Sequence, residues 1–429
     1  MFKIFKNSWA LFVGYAIMIT AHGFQGNLVQ VRSVIEDFSF ITIGIIMTGY
    51  FVGYFVGANI IPNLVSKVGH IRVFAAFASM ASLSILLHAV FVNPIIWTIA
   101  RFLTGISLIG VYIVVESWLN DRATNRNRGS VLAIYMFITF AGLAIGTLLL
   151  NFNKPQEFEP FILISLLFSV ALVPILLVKR SAPKFKKISF MKIKQLYKVS
   201  PLGTFSMFCT GLIHSAIFGV GAVYATTLNF TIFEISLFLF LITIAGAIFQ
   251  FPIGYFSDKS DRRIIIIASS ALAAIFCILA IWVSGASLGN MYLASAMGID
   301  KYMFFIFTIF YAGFALPMFT LNLAYVNDFI DKERFVAAGA GLQIIFGIGA
   351  MGGPIIASVF MNLYGANGFF IFLAILHIII SLFGMYRITK REYEDNPEST
   401  FTPLPRNITP LGIELDPTTA ADLSNTDKK

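Results

Sequence analysis

Charge is scarce in this chain. Only 12% of its 429 residues are Asp, Glu, Lys or Arg, while 58% are hydrophobic. A soluble domain carries about 25% charged residues, so this sequence has too little polar side chain to coat a water-soluble core of its own size. Cysteine is nearly absent. Cys209 and Cys277 fall inside apolar runs, without the paired spacing of a redox or zinc site. No Gly-x-x-x-x-Gly-Lys-Ser/Thr loop and no His-Glu-x-x-His group occurs, which argues against a nucleotide-driven motor or an embedded metalloenzyme. No Asp or Glu stands near the middle of any long apolar run. These absences point away from an enzyme, and neither a cofactor nor a metal is expected.

What is present is apolar length. Mean hydropathy is +0.84 and there are 46 phenylalanines. About 20 apolar residues cross the hydrocarbon core as a helix, and twelve such runs can be drawn: 9–31, 41–62, 73–92, 95–119, 130–151, 161–178, 201–226, 235–256, 264–284, 302–326, 335–360 and 368–386. Their continuity excludes a transmembrane barrel, whose strands alternate in short segments. The first run follows Lys3 and Lys6, is longer than a signal-peptide core and lacks a small-x-small cleavage site, so it is read as an uncleaved span.

Basic residues orient the bundle. With the amino terminus cytoplasmic, every Lys and Arg except Arg32, Arg101, Lys154 and Lys301 lies on the cytoplasmic side. That is the positive-inside pattern, and it accounts for the net charge of +9 without nucleic acid as a partner. Both termini are thus expected in the cytoplasm, in the inner membrane of a bacterium.

The basic stretch 179–198 divides the spans six and six. The expected organisation is an N-terminal six-helix bundle (1–178), a basic linker (179–200) that either lies on anionic lipid or is simply solvated, a C-terminal bundle (201–390) and a disordered, polar tail (391–429). The halves repeat. A shift of 192 residues carries His22 onto His214 and the turn after the second run onto the turn after the eighth. Repeats of this kind are the architecture of secondary transporters, whose solute site lies at the midplane between the halves.

Those turns carry a resemblance. Gly254, Asp258, Lys259, Arg262 and Arg263 follow the signature Gly-x-x-x-Asp-Arg/Lys-x-Gly-Arg/Lys-Arg/Lys of the major facilitator superfamily, with Asp261 in place of the second glycine. The first-half copy keeps Lys67 and Gly69 but has Pro62 and Ser66 at the first glycine and the acid. "RFLTG" (101–105) resembles the family's fourth-span Arg-x-x-x-Gly. The stretches 114–136 and "GIGAMGGP" (347–354) resemble the bacterial YcaD-like permeases in particular. The likeness spans about residues 9 to 386.

The resemblance implies an all-α membrane protein of twelve helices in two pseudo-symmetric bundles, working by alternating access. It implies that Asp258, Lys259 and Arg262, with Gly254 and Arg263 in the same turn, brace a cytoplasmic gate. Glu116, at the cytoplasmic end of the fourth span, is expected to pair with Lys67, Arg72 or Arg128. The bland alternative is a turn that serves only topology.

For the solute, ionisable groups within spans are costly and usually functional. His22, His214 and His377 are the mid-span candidates, and imidazole suits a proton carrier. His22, Gln25 and Arg32 share one face of the first helix within about 80°, and Arg101 can join Arg32 in presenting positive charge to an anion. The alternatives are a histidine that only bridges helices and an arginine that snorkels to headgroups. Gln25, Asn27 and Gln30 suit a sugar or amino acid equally well. The expected partners are a small solute, a proton as candidate coupling ion, and the lipid bilayer, with the carrier a monomer. An exporter of the same superfamily is the competing reading, disfavoured by Thr147 after Gly146 where drug antiporters carry Gly-Pro; a carrier-like sensor that no longer transports is another.

Overall fold

The computed structural model describes residues 2–177, 189–284, 300–390, 392 and 399–419, with side chains from Ser8 onward. The described residues are helical with no strand. The first half comprises α1 (Phe2–Ile35), α2 (Phe40–Val68), α3 (His70–Val90), α4 (Pro94–Arg122), α5 (Arg128–Leu148) and α6 (Glu159–Val170, resuming at Leu172–Leu176). A short helix, Ile193–Val199, precedes the second half. That half comprises α7 (Pro201–Thr227), α8 (Ile232–Ser257), α9 (Arg262–Val283), α10 (Asp300–Ala315 and Met318–Asn327), α11 (Phe335–Tyr364) and α12 (Gly368–Ile388). These twelve helices are the transmembrane spans. Residues 178–188, which take in the first part of the linker, lie outside the described residues.

The helices start where the chain supplies caps. Asn93 accepts from the backbone N–H groups of Ile95 and Ile96 with Pro94 in the first turn, and Thr231 and Glu234 cap each other at the start of α8. The turn between α2 and α3 is made at Gly69, whose φ of 88° is open to glycine and costly for other residues.

Pairing within each half follows the same plan. α1 packs on α5, α2 on α4 and α3 on α6; correspondingly α7 packs on α11, α8 on α10 and α9 on α12. The α2–α4 pair is so close that a Cβ on Gly53 or Gly105 would overlap the facing helix's carbonyl oxygen. The halves meet along α2–α11 and α5–α8, with α1 against α7. Outward-facing side chains such as Phe137, Phe251 and Tyr302 are exposed and apolar, as a lipid-facing surface requires.

The end of the bundle carrying the turns at 123–127 and 258–261 is called the basic face below. One expectation fails there. The tail was expected to be disordered, yet residues 399–419 are folded against the bundle, with Phe401, Leu404, Ile408, Leu411, Ile413 and Leu415 all buried. Its Pro and Thr content reads as disorder by composition, but apolar residues spaced between them find a groove that composition does not reveal.

Candidate functional site

A cavity of about 310 Å³ lies between the halves. Its walls include His22, Tyr50, Tyr54 and Tyr112 from the first half, His214, Ser215, Gln343 and Phe346 from the second, and Arg406 and Asn407 from the tail. A smaller space of about 40 Å³ adjoins it, lined by His22, Tyr50, Arg101, Phe218, Thr243 and Arg406 among others. Among the described residues, neither is lined by an Asp or Glu.

Arg101 dominates the smaller space. It is 4% exposed, its guanidinium carbon stands 4.9 Å from the centre of the Tyr50 ring, and its Nε and Nη1 have no hydrogen-bond partner among the described residues. Attraction to the ring face offsets part of the cost of burying the cation. The free N–H groups remain available to an acceptor.

His22 stacks on Tyr50 with ring centres 5.3 Å apart, and its Nε2 lies 3.4 Å from the tyrosine hydroxyl. His214 donates from Nε2 to the carbonyl of Ala315 (3.2 Å) and meets the Phe346 ring edge-on. The two histidines related by the repeat thus reach one cavity from opposite halves. His377 is buried against Tyr311 and lines neither space.

The polar stripe expected on α1 separates into three different environments. Only His22 faces the cavity. Gln25 turns to α4, donating from Nε2 to Thr104 (3.0 Å), which is joined to Ser84 (2.8 Å). Arg32 does not join Arg101. It forms an ion pair with Glu36 (2.5 Å) and donates to the carbonyls of Pro155 and Gln156, so local partners saturate it.

At the end away from the basic face, Gln30 bridges the halves. It donates to the carbonyl of Phe218 (3.0 Å) and accepts from the N–H of Ala222 (3.0 Å). Asn151 also crosses, donating to Ser236 on α8 (2.7 Å). Gln30 was legible only as a polar residue near the helix end; nothing in its spacing marked a latch.

The gate residues also depart from expectation. Glu116 pairs with none of Lys67, Arg72 or Arg128. It is fully buried and accepts from Tyr135 (2.5 Å) and from the backbone N–H groups of Thr409 (2.9 Å) and Gly412 (3.0 Å), with the Thr409 hydroxyl as a further donor. Arg128 donates to the carbonyl of Glu414 (2.9 Å), whereas Lys67 and Arg72 are exposed. In the second half, Arg262 is buried and pairs with Asp258 (2.7 Å) and Asp328. Arg263 pairs with Asp261 (2.6 Å), which also caps α9. Lys259 leaves the cluster and lies against its neighbour Tyr255 (2.6 Å to the hydroxyl). A Cβ on Gly254 would collide with the Phe401 ring of the tail.

The comparisons with known proteins agree with this architecture. A transporter of the MFS type from Yersinia enterocolitica is 25% identical over 337 residues, covering 77% of this chain and 83% of the relative. The MFS-type transporter YcaD of Escherichia fergusonii is 23% identical over 374 residues, covering 87% and 93%. Among solved structures, the nucleoside transporter NupG superposes with a TM-score of 0.73 at 11% identity, covering 90% of this chain and 99% of that one. A bacterial homologue of the human lysosomal transporter Spinster, in an inward-facing and occupied conformation, gives 0.69 at 13% identity, covering 92% and 98%. The sequence profile of the Major Facilitator Superfamily matches residues 11–299 and 203–418. The chain therefore belongs to the major facilitator superfamily, a multi-pass membrane protein of the transporter class.

Proposed function

We propose that this protein is a secondary active transporter for a small organic anion, working by alternating access around the cavity between its halves. The carrying observation is the buried guanidinium of Arg101, with two N–H-bearing atoms unpartnered among the described residues, in a space that none of their carboxylates lines. A cation left unpaired in low dielectric is costly, and a carboxylate or phosphate ester that pairs with it gains both charge and hydrogen bonds. Tyr50, Phe51 and Phe218 supply apolar wall for the rest of a solute.

His22 and His214 are the candidate proton carriers, since both line the cavity and the unperturbed pKa of imidazole, about 6.5, is the nearest to neutral of the side-chain types there. The excess of Lys and Arg on the basic face supports placing that face, and with it both termini, on the cytoplasmic side, in the inner membrane of a bacterium on this reading. The Gln30 bridge holds the opposite, periplasmic end together, which corresponds to a carrier directed toward the cytoplasm.

The test is a thermal-unfolding series of the purified carrier with small carboxylates, phosphate esters, sugars and organic cations. A ligand at 100 times its Kd stabilises by about 2.7 kcal/mol. The expected result is a shift confined to anions, lost in Arg101→Gln and partly kept in Arg101→Lys. A shift with sugars or cations that survives Arg101→Gln would refute the anion reading.

A further inference from the structure

The tail goes beyond this reading. We propose that residues 399–419 form a tethered plug that sits in the mouth of the central cavity on the basic face, holds both halves in one arrangement, and must leave before a solute can pass.

The tail touches both halves. On the first, Tyr54 donates to the carbonyl of Asn407 (2.8 Å), Glu116 binds Thr409 and Gly412, Asn120 donates to the carbonyl of Leu411, and Arg128 holds Glu414. On the second, Arg262 donates to the carbonyl of Ser399 (2.6 Å), the N–H of Phe401 donates to Asp258 (2.8 Å), and the N–H of Leu404 donates to Gln250 (3.1 Å). Rocking the halves about the site moves these two sets of anchors relative to each other. The tail therefore cannot keep both sets through a cycle.

Its tip reaches the solute site. Arg406 donates toward the carbonyl of His214 (3.4 Å), places its guanidinium 3.2 Å from the centre of the Phe218 ring, and shares the smaller space with His22 and Arg101. The segment thus occupies volume a solute needs, and its deepest residue is a cation with no carboxylate against it among the described residues. Two cations share that space, and among the described residues the tip gains no ion pair from its seat. Closing the basic face demands the same volume, so the seated tail opposes that step as well.

The proposal does not depend on the solute's class, so its test reads accessibility rather than transport. In the full chain with Cys209→Ala and Cys277→Ala, Ser215→Cys reports from the cavity wall. Gly129→Cys with Pro417→Cys provides a lock, because a Cβ on Gly129 would lie 3.1 Å from the Pro417 ring. The reagent is a cationic methanethiosulfonate, with modification of the thiol introduced by Ser215→Cys read by peptide mass. Oxidising the lock should slow that modification at least tenfold, and reducing it should restore the rate. Gly412→Asp, which sets a second carboxylate against Glu116 and leaves the bundle untouched, should raise the rate at least tenfold over the parent. Equal rates in the oxidised and reduced protein overturn the proposal. So does a Gly412→Asp rate no faster than the parent. If that variant does not accumulate, the oxidised and reduced comparison decides alone.

Discussion

The Glu116 carboxyl group and the N–H of Thr409 lie 2.9 Å apart, although 293 residues separate them in the chain. This contact ties the end of α4 to the tail, and it replaces the ion pair that a reading of nearby basic residues suggests. Glu116→Ala leaves the N–H of Thr409 buried without an acceptor, removes the acceptor of its hydroxyl, and leaves the Gly412 N–H only the carbonyl of Thr409. Each such loss costs about 1–3 kcal/mol, so the tail should leave its seat. The measure is trypsin cleavage after Arg406, expected to accelerate at least tenfold, with Glu116→Asp intermediate. Cleavage at the parent rate in Glu116→Ala would mean the tail is held elsewhere.

Gln30 should act on the opposite end. Its two bonds to α7 are the polar bridge between α1 and α7 that a change of state has to break. Gln30→Leu removes both, at about 0.5–1.5 kcal/mol each, and leaves the Ala222 N–H without its acceptor. The expected outcome is a population shifted about tenfold toward the state open at that end. Double electron–electron distances between spin labels on the ends of α1 and α7 would show it. A distribution identical to the parent would assign Gln30 to packing alone.

The sequence carried the fold clearly and the site unevenly. Twelve apolar runs mapped onto twelve helices because a membrane forces each span to satisfy its own backbone, and the offset between His22 and His214 survived because repeat geometry preserves register. Arg32 was misplaced for the opposite reason. Helix periodicity gives a direction around the axis, but Glu36 one turn further on lies within reach and neutralises the arginine locally. His88, buried with Nδ1 donating to the carbonyl of Ser84 (2.8 Å), escaped notice because its environment is set by the packing of α3 on α4. The tail was the largest miss. Apolar residues such as Leu404, Ile408 and Leu411 are too few to signal a fold, and only the shape of the cavity gives them somewhere to go.

Arg32 and Arg262 should therefore behave differently. Arg32→Ala removes a partly exposed pair with Glu36, worth about 0–1 kcal/mol, and should leave the anion-induced shift intact. Arg262→Ala removes the buried ion pair with Asp328, and breaking such a pair costs about 3–5 kcal/mol. It also removes the two bonds from Arg262 to Ser399, which among the described residues keeps only its own bond to the Ala324 carbonyl, and so loosens the start of the seated segment. Thermal unfolding of the two variants side by side should show a large drop only for Arg262→Ala. Loss of the anion response in Arg32→Ala would restore Arg32 to the site.

Asp416 should make the seating of the tail sensitive to acid. It is 5% exposed, its Oδ1 accepts from Thr402 (2.8 Å) and from the N–H of Thr418 (2.9 Å), and burial holds its carboxyl above the usual range. In a released tail the same group titrates near about 3.9. The seated form thus binds its proton more tightly than the released form, and protonation favours seating. Seating should strengthen as pH falls through the raised value and level off below about 3.9; above the raised value the penalty is complete and constant. Asp416→Asn imitates the protonated group, so it should seat the tail at every pH and abolish this part of the dependence. Spin labels at Gly129→Cys and Pro417→Cys, followed in detergent from pH 7 downward, report the seated fraction directly. A parent protein with no pH response would refute the acid sensitivity, and an Asp416→Asn variant with the parent's full response would place it elsewhere than Asp416.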